Sequence, residues 1–488
     1  MRYILFILLC AAGLTLGSCK KYLEVDPKSQ RAIKTVDDVK TVLAGYLKVL
    51  KPGETVTFHS TVGDVMYFTP SYWSLFEFYS DNIAFKQDYN TYINAAGAAN
   101  GKTQAKLILF NNFSIPTTIW VQHYKSIGFL NALLDELTDA SGDATVKQQL
   151  RNEMLICRAL YYYKLLQYFA PYKDAKIGIP VYTDAKGPFA GISIPRTPQP
   201  EVFHFIIDQL TEALNSSAAT DPNYNIFYRK VFINNFLAQV YWYKAESGSK
   251  ESGDYAQAKK YATDALAGIT LPATQTEYVN SLNGAYDYPV YQRWGGSSAF
   301  SENPYGLAFG STAFKPHCAP DLYSLFDVND YRFKSFILAD KTISRPVVTS
   351  PGNYTTAYNL FKPEEAYLIK VEATLKDPQG GSDAEARTLL NAFRRMRGVN
   401  SDYTGTNLAQ EIINERRREF CFHTDFRWVD MKRFGIGTTR DNLVMYGNTY
   451  TVTVDPNGYQ FALPVPVDEE LKINPLMTPN PSWNEIIF

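Results

Sequence analysis

Residues 144–170 read ATVKQQLRNEMLICRALYYYKLLQYFA, and the apolar positions decide how they fold. Val146, Leu150, Met154, Cys157, Tyr161, Leu165 and Tyr168 recur at steps of 4, 4, 3, 4, 4 and 3. Those steps put side chains on one face of an α-helix and on no single face of a strand. Pro171 stops the helix, because proline has no N–H to donate and its ring clashes with the preceding turn. A stripe of this length has to be covered by other elements.

The same periodicity continues downstream. Thr197 is the expected N-cap of a helix with Pro198 at its first position, and Val202, Ile206, Leu210 and Leu214 form its stripe. A third helix, about 229–246, carries Phe232, Phe236, Val240 and Tyr243. A fourth, about 254–267, carries Tyr255, Ala258, Ala262 and Ala265 and ends at Gly268. Bulky residues on one helix and alanines on the next let the two approach closely, as in a tetratricopeptide pair, although the full repeat consensus is not met. A second pair spans about 363–376 (Ala366, Ile369, Ala373) and 383–397 (Ala386, Leu390, Phe393), joined by Gly380-Gly381-Ser382. Residues 269–360, rich in Gly, Pro, Tyr and Asn, read as long ordered loops. Tyr450, Val452 and Val454 alternate with polar residues, and Asp455-Pro456-Asn457-Gly458 followed by Tyr459 and Phe461 suggests a hairpin. The expected fold is therefore mainly α: a tetratricopeptide-like helical scaffold with long loops and a small C-terminal β-hairpin.

Composition narrows the function. The 488 residues include 35 Tyr, 30 Phe and 6 Trp, too many aromatics for a disordered chain. A net charge of −1 offers no global basic excess for nucleic acid. Tyrosine outnumbers phenylalanine. Its apolar ring and polar tip suit half-wet surfaces better than dry cores.

Residues 1–19, MRYILFILLCAAGLTLGSC, form a secretory signal too short to span a bilayer. Leu16-Gly17-Ser18-Cys19 looks like a bacterial lipobox, which makes Cys19 the lipidated residue and the mature protein a globular body on a lipid anchor. Cys157, Cys318 and Cys421 remain, widely spaced and odd in number, so neither a disulfide framework nor a metal knuckle is expected.

Catalytic signatures are missing. The five histidines lie far apart, with neither HExxH nor GxSxG in the chain. Gly97-Ala98-Ala99-Asn100-Gly101-Lys102-Thr103 is one residue short of a phosphate loop. Arg416-Arg417-Arg418, flanked by Glu415 and Glu419, reads as a charge-paired helix face. Two carboxylates brought together for glycoside hydrolysis stay an open alternative, since spacing in space is invisible in a sequence.

The order of motifs resembles the SusD/RagB family of nutrient-binding outer-membrane lipoproteins of Bacteroidetes. The resemblance rests on the lipobox, Ser80-Asp81-Asn82, Trp120 with Tyr124 and Asn131, and Arg158-Ala159-Leu160-Tyr161-Tyr162-Tyr163. It continues in Glu415 to Phe420, in Arg427-Trp428-Val429-Asp430-Met431-Lys432-Arg433, and in Asn474-Pro475 and Asn480-Pro481. Thr424-Asp425-Phe426 departs from the family's usual Glu-Gly at that turn. The resemblance implies a non-enzymatic, cofactor-free lipoprotein of the outer membrane, exposed at the cell surface. It would capture oligosaccharide for a SusC-like TonB-dependent transporter, with peptide or another nutrient as the alternative cargo. It also implies a signal peptide at 1–18, a tether at 19–30, and helical regions at 31–225 and 226–488 packed into one body. Loop aromatics are the expected ligand contacts: Tyr72, Trp73 and Tyr79 after Pro70, and Tyr286, Tyr288, Tyr291, Arg293 and Trp294 before Gly295-Gly296. Asp81, Asn82, Arg427, Trp428 and Asp430 are read as scaffold, with a buried Arg–Asp pair holding helices together.

Overall fold

The computed structural model describes residues 33–47, 75–84, 105–184, 193–221, 225–282, 291–296, 317–337, 354–359, 362–423 and 425–480, with a few single positions between them; 291–296 and 354–359 are described as backbone. Cys19, the signal and the tether lie outside these residues.

In chain order the elements are α1 (Val36–Leu47), β1 (Ile83–Ala84), α2 (Ser114–Asp139), α3 (Ala144–Phe169), α4 (Gln199–Asn215), α5 (Lys230–Lys244), α6 (Asp254–Ala265) and α7 (Gln275–Leu282). Then follow β2 (Tyr291–Gly296), β3 (His317–Cys318), α8 (Pro320–Leu325), α9 (Tyr331–Phe336), β4 (Tyr354–Asn359) and α10 (Pro363–Lys376). The chain continues through α11 (Asp383–Met396), α12 (Leu408–Phe420), α13 (Phe426–Phe434), β5 (Thr438–Met445) and β6 (Asn448–Val454). The fold is mainly helical, and each sheet among the described residues is a two-stranded antiparallel pair: β1 with β3, β2 with β4, β5 with β6.

Consecutive helices pack as neighbours: α2 on α3, α3 on α4, α4 on α5, α5 on α6, and α10 on α11. Helix α10 also lies on α6, which stacks the second pair on the first. Alanines make that approach possible: Ala258, Ala262 and Ala265 of α6 and Ala366 and Ala373 of α10 are all buried. The other side of α10, Leu368 and Val371, joins a second apolar cluster with Leu390, Phe393, Leu408, Ile412 and Phe420. The larger cluster draws on residues from Val36 to Met477.

Helix α3 is buried more completely than one stripe predicts. Nearly every side from Gln149 to Phe169 is covered, including those carrying charge. Each charge has partners. Glu153 accepts the backbone N–H groups of Ile226, Phe227 and Tyr228 at 2.8–2.9 Å. Arg158 donates to Asn131 and Gln209 at 2.7 Å, and Lys164 pairs with Asp425 at 2.7 Å. Asp143 starts the helix by accepting the N–H groups of Thr145 and Val146. At its far end the buried Lys432 donates to the carbonyls of Gln167 and Ala170, and burial pushes its amine well below the usual lysine value. Three tryptophans, Trp120, Trp242 and Trp428, are buried in this scaffold. The Trp120 and Trp242 indole N–H groups donate to Glu470 and Glu372.

Three expectations need correction. Helix α4 begins one residue late: Thr197 is extended and pairs with Ile179, leaving Pro198 as the cap. The 269–360 stretch is not loop alone, since α7, α8, α9, β2, β3 and β4 all lie within it. The C-terminal hairpin uses the predicted strand, but its partner precedes it. Tyr446 and Gly447 turn the chain with φ of 51° and 77°, the doubly positive pattern of a tight hairpin turn, and 459–461 is a short 3-10 turn. A bulge between Arg440 and Leu443 interrupts the alternation of β5, which hides it in the sequence.

Candidate functional site

Most of the tyrosines among the described residues belong to the core. Tyr46, Tyr79, Tyr124, Tyr161, Tyr162, Tyr163, Tyr168, Tyr172, Tyr182, Tyr228, Tyr243, Tyr255 and Tyr278 are all buried. Many place the hydroxyl on a backbone carbonyl: Tyr124 on Pro180, Tyr162 on Tyr182, Tyr163 on Gln239, Tyr172 on Tyr243 and Tyr228 on Ala218. A hydroxyl that finds a carbonyl makes tyrosine as good a core residue as phenylalanine, and more specific about its neighbours.

Tyr79 is one of these. It is 0 % exposed, its ring lies 4.9 Å from Phe110, and its hydroxyl accepts the N–H of Asn112. The structure therefore places it in the scaffold and not on a ligand surface. Leu75, Phe76 and Phe78 are buried beside it, so residues 75–79 pack as a helical turn. Tyr72, Trp73, Tyr286 and Tyr288 lie outside the described residues.

Tyr291, Arg293 and Trp294 belong to β2 and not to a loop. The register with β4 runs from Tyr291 opposite Asn359 to Gly296 opposite Tyr354, with Arg293 opposite Ala357 and Trp294 opposite Thr356. The ribbon adds Tyr354 and Tyr358, which the sequence reading did not select. The run Tyr354-Thr355-Thr356-Ala357-Tyr358, dense in β-formers, was the available signal.

In the chain β2 follows α7 and β4 precedes α10, and one side chain ties those two helices together. Arg397, buried at the end of α11, donates to the carbonyl of Pro272, just before α7. Its guanidinium lies 5.1 Å from the Tyr278 ring of α7 and 3.5 Å from Glu364 of α10. It holds Glu419 of α12 through two bonds of 2.8 Å. Glu411, Glu415 and Glu419 follow one another at successive turns of α12 and meet Arg394, Arg418, Arg332 and Arg397. Burial alone would raise the Glu415 carboxyl, but the guanidiniums of Arg332 and Arg418 outweigh it and hold Glu415 at about 2. The arginine run is thus charge-paired as expected, and Arg416, Arg417 and Arg418 are all buried.

A second anchor fixes residues 75–84. Arg427 grips Asp81 with two bonds of 2.6 Å, and Arg417 donates to the Asp81 carbonyl while pairing with Asp321 at 2.7 Å. The scaffold reading of Asp81, Asn82, Arg427, Trp428 and Asp430 therefore holds, with the pairs crossed: Asp430 belongs to Arg416. Beside this anchor, Tyr323, Phe326 and Phe333 of the α8–α9 corner form a half-buried aromatic group with centroid separations of 5.3 and 5.9 Å. Sequence reasoning passed over them as loop.

Among the described residues no group of three His, Cys, Asp or Glu is placed to hold a metal, and no helix is long and apolar enough to cross a membrane. Burial pushes the His123 ring down to about 4, so it is neutral at pH 7, with Nδ1 on the Ile119 carbonyl. Glu153, pushed up to about 7 by burial, titrates where a catalytic acid would, but it is sealed under three backbone N–H groups.

Two family models match the chain. One, described as starch-binding associating with outer membrane, covers residues 21–242; the other, for the SusD family, covers 321–483. Solved structures agree in fold. A SusD-like carbohydrate binding protein from Bacteroides vulgatus is 20 % identical, with a TM-score of 0.63 over 91 % of this chain and 97 % of that one. A SusD superfamily protein from Bacteroides thetaiotaomicron is 19 % identical, with a TM-score of 0.65 over 92 % and 100 %. Another from Parabacteroides distasonis is 17 % identical, with a TM-score of 0.61 over 92 % and 98 %. No curated protein matches the chain.

Proposed function

The chain belongs to the SusD family, and from that premise we propose that it is a non-catalytic, surface-exposed lipoprotein of the outer membrane. It is anchored through Cys19, binds oligosaccharide and delivers it to a SusC-like TonB-dependent transporter. The observation that carries this reading is the pair of family models, one described as starch-binding associating with outer membrane, over residues 21–242 and 321–483.

The binding mechanism follows from the chemistry of the partners. Sugar rings present C–H faces that pack on aromatic rings, and aromatic side chains lose little entropy when they do so. Tyr291 and Trp294, with Trp73, Tyr72, Tyr286 and Tyr288, are the proposed platforms, and Arg293 the hydroxyl-binding group. The pairing of β2 with β4 holds their backbone in one register, a firmer base than a free loop.

The test is a titration of the full mature protein with an oligosaccharide panel and a peptide panel, together with an assay for released reducing sugar. Saturable binding of an oligosaccharide, weakened at least about tenfold by Trp294→Ala or Trp73→Ala, is expected. Selective peptide binding would reassign the cargo. Product formation would overturn the non-catalytic reading.

A further inference from the structure

Where α3, α5, α10, α12 and α13 meet, three buried carboxyls, Asp425, Asp430 and Glu365, share two cations, Lys164 and Arg416, while the buried Lys432 of α13 is spent on the Gln167 and Ala170 carbonyls. Lys164 of α3 holds Asp425, the residue before α13, at 2.7 Å, and Tyr168 donates to the same oxygen at 2.6 Å. Arg416 of α12 holds Asp430 of α13 through Nε and Nη2 at 2.9–3.2 Å. These two cations are thereby matched one to one. Glu365 of α10 is a third carboxyl in the same place, 3 % exposed. The cation it faces is Arg416, at 3.6 Å and already engaged by Asp430. Its hydrogen-bond partner is the side-chain amide of Gln239 on α5. Tyr163 of α3 donates to the Gln239 carbonyl and adds no charge. The flanking acids of α10 have cations elsewhere: Glu364 faces Arg397, and Glu372 pairs with Arg433 and Lys376.

An ionised carboxylate buried without its own cation is costly, and the usual escape is to keep its proton. We propose that Glu365 is protonated in the folded protein, and that this proton closes the junction between α3 and α5 on one side and α10, α12 and α13 on the other. The amide of Gln239 suits that state: turned over, it accepts the carboxyl O–H as readily as it donates to a carboxylate. Burial pushes the Glu365 carboxyl up to about 8; Arg416 and Lys164 oppose the rise, and Asp430 and Asp425 reinforce it. A folded-state value above the unfolded one gives a definite sign. The stabilisation is complete below the unfolded value, about 4.5, drains as pH rises through neutrality, and is gone once pH passes the folded value. The junction is therefore a clasp that alkali opens.

The test compares wild type with Glu365→Gln, a neutral mimic of the protonated acid, in unfolding of the full mature chain between pH about 5 and about 9. The two should be equally stable at the acid end, with wild type falling behind as pH rises. Near neutrality the variant should release about one proton fewer on unfolding. Glu153 titrates in the same window, so the difference between the two proteins is the measurement. A variant less stable than wild type at every pH, with an unchanged slope, would mean that Glu365 is a carboxylate and would overturn the proposal. If the variant does not fold, infrared spectra of the wild type decide. A protonated-carboxyl band should persist in the native protein above the Glu153 value and vanish on unfolding; its absence refutes the proposal.

Discussion

Replacing Arg397 by methionine tests the junction of α7, α10 and α12. Methionine keeps most of the side-chain volume, so the change removes charge and hydrogen bonds and leaves little cavity. What is lost can be read from the structure: two 2.8 Å bonds to Glu419, one of 2.8 Å to the Pro272 carbonyl, the Glu364 contact at 3.5 Å, and guanidinium stacking on Phe393 at 4.6 Å and Tyr278 at 5.1 Å. Glu419 keeps Arg332 at 3.1 Å, so its charge is not wholly abandoned. Removing one partner of a buried pair typically costs about 3–5 kcal/mol, and the remaining Arg332 contact places the expected loss near the lower bound, about 3 kcal/mol. That is a large share of the roughly 5–15 kcal/mol by which domains are stable. Urea unfolding of the full chain at neutral pH measures it. Adding Glu419→Gln should restore part of the loss, because the buried charge is then removed, giving a coupling of about 1–3 kcal/mol. A loss below about 1 kcal/mol for Arg397→Met, or strict additivity with Glu419→Gln, would refute the claim that this pair holds the helix junction together.

Other outcomes follow from the same geometry. Tyr79→Phe should cost about 1–2 kcal/mol in chemical denaturation, since the Asn112 N–H loses its acceptor, and should leave ligand affinity unchanged. Gly398→Ala should destabilise by about 1–3 kcal/mol, because φ is +83° and a Cβ would meet Tyr331 at 2.6 Å. Glu372 and Glu415 are both held at about 2 by arginine and lysine partners that outweigh burial. Their stabilisation is complete above the unfolded value near 4.5 and lost as pH falls towards the folded one, so thermal midpoints should drop steeply between pH about 4.5 and about 2.

The helices of the scaffold were legible because their apolar periods are long and uninterrupted, as in α3, α10 and α11. The cap of α4 was displaced because Thr197 is claimed by a tertiary partner, Ile179, that no local rule foresees. Helices α8 and α9 are six residues each, too short to show a period. The burial of the α12 arginines was not legible, because the carboxylates that hold Arg416 and Arg417, namely Asp430, Asp81 and Asp321, come from other segments. The candidate site was legible only as composition. Aromatic density pointed to 286–294, but it could not say that Tyr291 to Gly296 would pair with 354–359, nor that Tyr79 would turn inward.

The placement of the tryptophans has a spectroscopic consequence. Trp120, Trp242 and Trp428 are sealed in the scaffold, and Trp242 lies between the guanidiniums of Arg416 and Arg433, 4.2 and 3.9 Å from its centroid. At 1–2 % exposure they are shielded from a small quencher such as acrylamide, so they supply a nearly constant emission background. The chain's other indoles are Trp73, Trp294 and Trp483. Any protection from quenching that a bound ligand confers therefore reports on those three, and two of them are the proposed platforms.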